Sequence, residues 1–256
     1  MDAPRPGRVL RQHVDTDRLL GVDAVPMGMA TNSALPQQGA SPEAQRPAAR
    51  SEQAPIHAPG PSIDVGDKLT VLQTLDEQEV RGCVRCELHV GRTHTVFGEG
   101  DANASLMIVG EGPGADEDRT GRPFVGRAGE LLTKQIGAMG LSREQVYIAN
   151  VVKCRPPNNR TPTPAEAATC GDYLRRQIEI IRPRVILTVG GPAAKLLLGT
   201  DTGITRLRGA WHTYQAVDPA IPVMPTFHPA YLLRSYTKEN RAKVWADLQQ
   251  VMQRLG

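Results

Sequence analysis

The sequence lacks long apolar runs and has few aromatic residues. Phe, Trp and Tyr make up only 4% of its 256 residues. No apolar run approaches the roughly 20 residues that a helix needs to cross a bilayer. The first residues, MDAPRPGRVLRQHVDTDRLL, contain no apolar stretch like that of a secretory signal. We therefore expect a cytoplasmic protein with no membrane partner.

An excess of one charge is also missing. Lys and Arg number 30 and Asp and Glu number 27, which gives a formal net charge of +3. This mildly basic balance is compatible with nucleic-acid binding but does not by itself indicate it.

Cysteine is scarce, and its spacing is informative. The four cysteines form a C-x2-C pair and a C-x15-C pair. Disulfides are not expected in a chain without an export signal. Four unrelated buried thiols are the alternative, but two close pairs favour a tetrathiolate metal site, and the spacing leaves zinc and iron–sulfur both open. The candidate ligands are Cys83, Cys86, Cys154 and Cys170.

The composition divides the chain into two parts. Residues 1–64 are rich in Pro, Ala and Gln and show no sustained hydrophobic period. Such a composition predicts a disordered tail. Residues 65–256 form the predicted globular domain.

Short apolar runs alternate with helical periodicities in the predicted domain. The apolar runs are residues 105–110, 146–152, 184–190 and 221–227. The helical segments are residues 127–140, 163–181, 191–199 and 238–256. This alternation predicts an α/β protein with a mostly parallel four-stranded central sheet and helices on both faces.

Chemically useful residues follow the predicted strands. They are Glu111, Asn150, Gly190–Gly191 and His228. Ligands of open α/β sheets bind beyond the carboxyl ends of the strands, so we expect these residues to meet at one edge. Each residue also has a structural interpretation. Asn150 can hydrogen-bond a neighbouring loop, and a single His is more often structural than catalytic.

The loop GEGPGADEDRTGRPFVG at 110–126 is flexible and acidic. It lacks the third glycine of a dinucleotide fingerprint and the Lys of a P-loop, and its four acids disfavour phosphate. Phe124 within it is either a core residue or a flat wall for stacking a base, a contact worth about 1–3 kcal/mol.

Three motifs in order resemble those of the family 4 uracil-DNA glycosylases, the iron–sulfur class of bacteria and archaea. They are GEGPGADEDRTGRPFVGRAGELL, NVVKCRPPNNRTPTPAEAATC and HPAYLLR. The resemblance implies the three-layer α/β/α uracil-DNA glycosylase fold and a monofunctional DNA-repair enzyme. Such an enzyme flips uracil out of single- or double-stranded DNA, hydrolyses its N-glycosidic bond and leaves an abasic site. The alternative is a non-catalytic iron–sulfur DNA-binding module.

The resemblance also implies how uracil is bound. Phe124 stacks on the base, Asn150 reads its polar edge and Gly112 supplies a backbone contact. His228 hydrogen-bonds a uracil carbonyl and stabilises the departing anion. Either Glu111 or Glu117 orients water or stabilises the sugar cation, and Glu111 is preferred because it directly follows a strand.

Contacts with DNA and the cofactor follow from the same resemblance. Leu232, with Leu233 as the second candidate, wedges into the space that the flipped base leaves. The alternative is that these leucines begin a buried helix turn, in which case Tyr231 and Arg234 flank phosphate. The four cysteines hold a 4Fe–4S cluster with a structural role. The loop CRPPNNRTPTP contains no histidine, so we expect release of free uracil without covalent trapping. We expect a monomer located with the bacterial nucleoid.

Overall fold

The computed structural model describes residues 65–256, so the tail predicted for residues 1–64 lies outside the described residues. The helices are α1 (Val65–Leu75), α2 (Ala115–Thr120), α3 (Arg127–Ala138), α4 (Pro164–Ile181), α5 (Gly191–Leu198), α6 (Ile204–Leu207), α7 (Pro229–Arg234) and α8 (Lys238–Leu255). The strands are β1 (Glu99–Gly100), β2 (Leu106–Gly110), β3 (Tyr147–Asn150), β4 (Val185–Val189), β5 (His212–Tyr214) and β6 (Ile221–Thr226). No helix in this part of the chain is long and apolar enough to span a membrane.

The six strands form one mixed sheet in the order β1-β3-β2-β4-β6-β5. The four central strands are parallel, as predicted, and β1 and β5 pair antiparallel at the two edges. The predicted count of four strands is therefore corrected to six. The edge strands have two and three residues, too few to give a recognisable alternation of polar and apolar positions.

Both faces of the sheet are covered, which gives the predicted three α/β/α layers. Met107 and Val109 of β2 join the core beneath α1, α4 and α5. Ile108, between them, joins the opposite core beneath α3 and α8. Successive side chains of a strand point to opposite faces, so a strand buried on both faces is apolar throughout. The carboxyl ends of the four parallel strands consequently open at one edge.

Candidate active site

A cavity of about 480 Å³ opens at the carboxyl edge of the central strands. The structure brings to it side chains from loops and strand ends that are far apart in the sequence. The predicted site residues that line it are Glu111, Gly112, Glu117, Phe124, Asn150, His228 and Arg234.

Asn150 ends β3 and is only 1% exposed. Its Oδ1 is buried and has no hydrogen-bond partner among the described residues. Gly110 ends the neighbouring strand, and a Cβ there would lie 2.4 Å from this Oδ1 and 2.5 Å from the Phe124 ring. Glycine at position 110 therefore lets the amide and the ring share one corner of the cavity.

Phe124 has a left-handed backbone, with φ of 52°. Such a conformation is strained for a bulky residue and persists only where its surroundings hold it. The Arg143 guanidinium donates to the carbonyl oxygens of Phe124 (3.0 Å) and Pro123 (2.7 Å) and is paired with Glu99 of β1. The held ring is buried, and its centroid lies 5.6 Å from that of His228.

Glu117 holds the same loop from its other side. Its Oε1 accepts hydrogen bonds from the backbone N–H groups of Val125 (2.9 Å) and Gly126 (3.0 Å). Its Oε2 accepts from the N–H of Gly114 (3.1 Å). The Glu117 carboxylate thus bonds the two residues that follow Phe124 and, through Gly114, the start of its own helix.

Glu111 lies at the end of β2 and is partly buried in the cavity wall. Burial raises the pKa of its carboxyl group above the usual value, and a hydrogen bond with the Thr161 side chain opposes this shift. Its backbone carbonyl accepts from the N–H of Val152 (3.2 Å), which fixes its position beside β3. Its carboxylate lines the cavity, whereas the Glu117 carboxylate, which lines it too, is engaged with three backbone N–H groups.

His228 caps the N-terminus of α7. Its Nδ1 accepts a hydrogen bond from the Ala230 N–H (3.0 Å). The pKa of His228 is lowered to about 4, mainly by burial and to a lesser extent by the positive charge of Arg234, whereas Glu117 opposes the shift. The imidazole is therefore neutral at pH 7, and because Nδ1 is an acceptor, its proton is on Nε2.

The two leucines of HPAYLLR have different surroundings. Leu232 is 2% exposed and packs in the core with α8, whereas Leu233 is 36% exposed. The turn of α7 directs Leu232 into the core, which is the arrangement expected if the leucines begin a buried helix turn. Leu233, at the next position, is exposed to solvent.

Several arginines lie near the cavity, but their partners differ. Arg127, Arg160 and Arg234 line it, and Arg160 is also paired with Glu166 at 2.7 Å. Arg208 is paired instead with the buried Asp247.

The four cysteines line a second, small cavity between the segment that follows α1, helix α4 and the segment after β3. Arg92 donates to Cys154 Sγ (3.2 Å), and the backbone N–H of Lys153 donates to Cys170 Sγ (3.2 Å). Among residues 65–256, no three His, Cys, Asp or Glu side chains are spaced to hold a single metal ion. Four cysteines around one cavity, two of which accept N–H hydrogen bonds at sulfur, are a donor set that fits a thiolate-bound cluster, which is larger than one ion. Burial raises the pKa of Cys170 to about 11, so metal binding there must displace a proton.

Sequence reasoning missed the residues that hold the site in place. Arg143 and Glu99 lie outside every motif and are 44 positions apart. An isolated Arg or Glu carries no local signal of its partner. Only the pairing of β1 with β3 brings them together behind Phe124.

Comparisons with known proteins agree with this geometry. The model of the family described as the uracil DNA glycosylase superfamily matches residues 97–249. The type-4 uracil-DNA glycosylase of Thermotoga maritima is 49% identical over 181 residues, which cover 70% of this chain and 92% of the relative. The type-4 uracil-DNA glycosylase of Archaeoglobus fulgidus is 42% identical over 191 residues, which cover 72% of this chain and 95% of the relative. A type-5 uracil-DNA glycosylase of Pyrobaculum aerophilum is 35% identical over 149 residues, which cover 52% of this chain and 64% of the relative.

Proposed function

We propose that the cavity at the sheet edge is where this protein binds a flipped uracil and hydrolyses the N-glycosidic bond. The chain belongs to the uracil-DNA glycosylase superfamily and is a DNA-repair enzyme of its type-4 group. A base within a duplex cannot be reached, so the nucleotide must leave the stack first. The observation that carries this proposal is the buried, unpartnered Oδ1 of Asn150.

Asn150 would select the base. Its Oδ1 accepts the N3–H of uracil, and its amide N–H donates to O4. Cytosine presents an acceptor at N3 and an amino group at position 4, so both bonds would be lost and polar groups left unpaired in a buried site. Phe124 stacks on the base, and the Gly112 backbone closes the cavity around it.

His228 would stabilise the leaving group. When the bond between C1′ and N1 breaks, its electron pair goes to uracil, and negative charge develops on the carbonyl oxygens. The Nε2–H of a neutral His228 donates to one of these oxygens, as fixed donors do at developing anions. Its low pKa supports this role, since a neutral donor does not depend on protonation near pH 7.

Glu111 would act on the sugar and on the attacking water. The sugar becomes cationic as uracil departs, and an ionised carboxylate beside it both stabilises the cation and orients a water molecule. The water oxygen bonds to C1′, and its proton passes to Glu111. The loop after Cys154 carries no histidine, which supports release of free uracil rather than a covalent adduct.

DNA would lie across the rim of this cavity. Arg127, Arg160 and Arg234 supply positive charge there for phosphates. The N-terminus of α5, at Gly191, adds backbone donors at the same rim. Leu233 fills the gap that the flipped base leaves.

The four cysteines would hold the 4Fe–4S cluster. When bound, the cluster supplies a rigid cross-link between the segment after α1, the segment after β3 and helix α4. In this proposal residues 65–256 form one catalytic domain, which acts as a monomer at the nucleoid.

Uracil release from single- and double-stranded oligonucleotides tests the proposal. We expect the wild-type protein to leave alkali-labile abasic sites. Asn150→Ala and His228→Ala should each slow release about 10²–10³-fold, the usual loss for one such donor. Alkali-stable DNA after incubation with folded, iron-loaded wild-type protein would favour the non-catalytic DNA-binding module instead. A wild-type rate from His228→Ala would remove that residue from the mechanism.

A further inference from the structure

Lys153 carries a fully buried ammonium group three residues beyond Asn150. The residue is 1% exposed. Its Nζ donates to the backbone carbonyl of Asn150 (2.9 Å) and to Oε1 of Gln177 (2.6 Å). An ammonium withdrawn from water is costly unless its protons are hydrogen-bonded, so these acceptors are essential to its burial.

Gln177 extends this attachment to the other end of the strand. Its Nε2 donates to the Tyr147 hydroxyl (3.2 Å) and to the Phe97 carbonyl (3.0 Å). Tyr147 is the first residue of β3 and Asn150 the last. The Lys153–Gln177 pair therefore contacts the backbone at the last residue of this strand and the side-chain hydroxyl of its first residue.

The backbone of Lys153 is fixed independently of its side chain. Its N–H donates to Cys170 Sγ (3.2 Å), and its carbonyl accepts from the Val96 N–H (2.7 Å). The ammonium thus extends from an anchored backbone, so it can hold Asn150 in place rather than follow it.

We propose that Lys153 is a positioning residue for uracil recognition, because its ammonium fixes the Asn150 backbone and thereby the direction of the Asn150 amide. The Asn150 Oδ1 has no partner in the described part of the chain. Before a base arrives, the direction of this oxygen depends on the backbone that carries it. This inference rests on the proposed function, in which Asn150 reads the uracil edge.

A double-mutant cycle tests the coupling. Lys153→Met removes the ammonium but keeps a long stem and the backbone N–H that bonds Cys170. Single-turnover uracil release is measured for wild type, Lys153→Met, Asn150→Ala and the double variant. We expect Lys153→Met to lower the rate of uracil release about tenfold in the wild-type background. In the Asn150→Ala background the same change should lower the rate less than about twofold, because the effects of substituting two residues in contact are not additive. Iron content and visible absorbance should match the wild type.

The control is Val251→Ala, a fully buried change on α8. This change lowers stability, but its effect on the rate of uracil release should be the same fold-change with and without Asn150→Ala, since the two sites share no partner. If Lys153→Met lowers the rate of uracil release by the same factor in the wild-type and Asn150→Ala backgrounds, the positioning role is overturned. Loss of iron from Lys153→Met would also overturn it.

A second variant covers the case in which Lys153→Met does not fold. Gln177→Met leaves the ammonium in place but removes one of its two acceptors, and the same non-additivity with Asn150→Ala is expected. Additive losses there would also overturn the inference. Inactive wild-type protein would instead contradict the proposed function, so the two failures are distinguishable.

Discussion

The Nδ1 atom of His228 accepts a hydrogen bond from the backbone N–H of Ala230, two residues along the helix that His228 caps. This bond assigns the imidazole proton to Nε2. Together with a pKa lowered to about 4, it makes His228 a neutral donor over the physiological range.

The pH dependence of uracil release should therefore reflect Glu111. Burial raises its pKa above the usual value. Because the ionised form is active, the rate should fall as pH decreases through that raised pKa, whereas His228 becomes charged only near about pH 4. Single-turnover rates from about pH 4 to about pH 8 check this. Glu111→Gln should be slower and lack the acid limb. An acid limb near the ordinary histidine pKa that persists in Glu111→Gln would contradict the assignment.

Glu117→Gln should act mainly on stability. Three backbone N–H groups donate to the Glu117 carboxylate, and an amide has only one oxygen to accept them. We expect the free energy of unfolding to fall by about 1–3 kcal/mol, with a smaller loss of rate than in Glu111→Gln. Denaturant titration measures the first and single-turnover release the second. Unchanged stability with a greater loss of rate than in Glu111→Gln would reverse the roles of the two acids.

Removing Arg143 should relax Phe124 out of the stacking position. Strain at a left-handed non-glycine residue amounts to about 1–3 kcal/mol, and Arg143 helps to offset it. We expect Arg143→Met to lower the uracil-release rate about tenfold, since each 1.4 kcal/mol of barrier is about a factor of ten. Arg122→Met is the matched control. Arg122 also pairs with Glu99 but is 64% exposed, and it should remain near wild type. Equal losses in the two variants would show that the Arg143 hydrogen bonds to the loop are unimportant.

The neighbouring leucines of α7 should separate stability from DNA distortion. Leu232→Ala opens a cavity in the core and should cost about 2–5 kcal/mol of unfolding free energy. Leu233→Ala should leave stability within about 0.5 kcal/mol, as surface changes usually do. It should slow release from double-stranded DNA more than from single-stranded DNA, because only a duplex leaves a gap to fill. Equal slowing on both substrates would argue against a wedge at Leu233.

Cys83→Ala should abolish cluster binding and lower the melting temperature. The native preparation should be brown, with broad visible absorbance and bound iron. Thr169→Ala, which lines the same cavity without a sulfur ligand, should keep both properties. A colourless wild-type protein loaded with zinc would contradict the cluster, and full iron retention in Cys83→Ala would contradict its assignment as a ligand.

Residues at strand ends were predictable from the sequence. Glu111, Asn150 and His228 follow parallel strands, and the topology of such sheets brings strand ends together whatever the details of packing. The separation of Leu232 from Leu233 was not predictable, because one helical step decides which of two adjacent leucines faces the core. The role of Glu117 also depended on tertiary structure, since its donors at Val125 and Gly126 are presented by a backbone bend that no composition specifies.

The unpartnered oxygen of Asn150 has a consequence for the evolution of this protein. A buried polar atom without a partner costs about 1–3 kcal/mol, so replacing Asn150 with a well-packed apolar residue should give a more heat-resistant and inactive protein. Selection for thermal robustness alone would remove this amide. Under the proposed function, the stability that the fold gives up at Asn150 is exchanged for recognition of a damaged base.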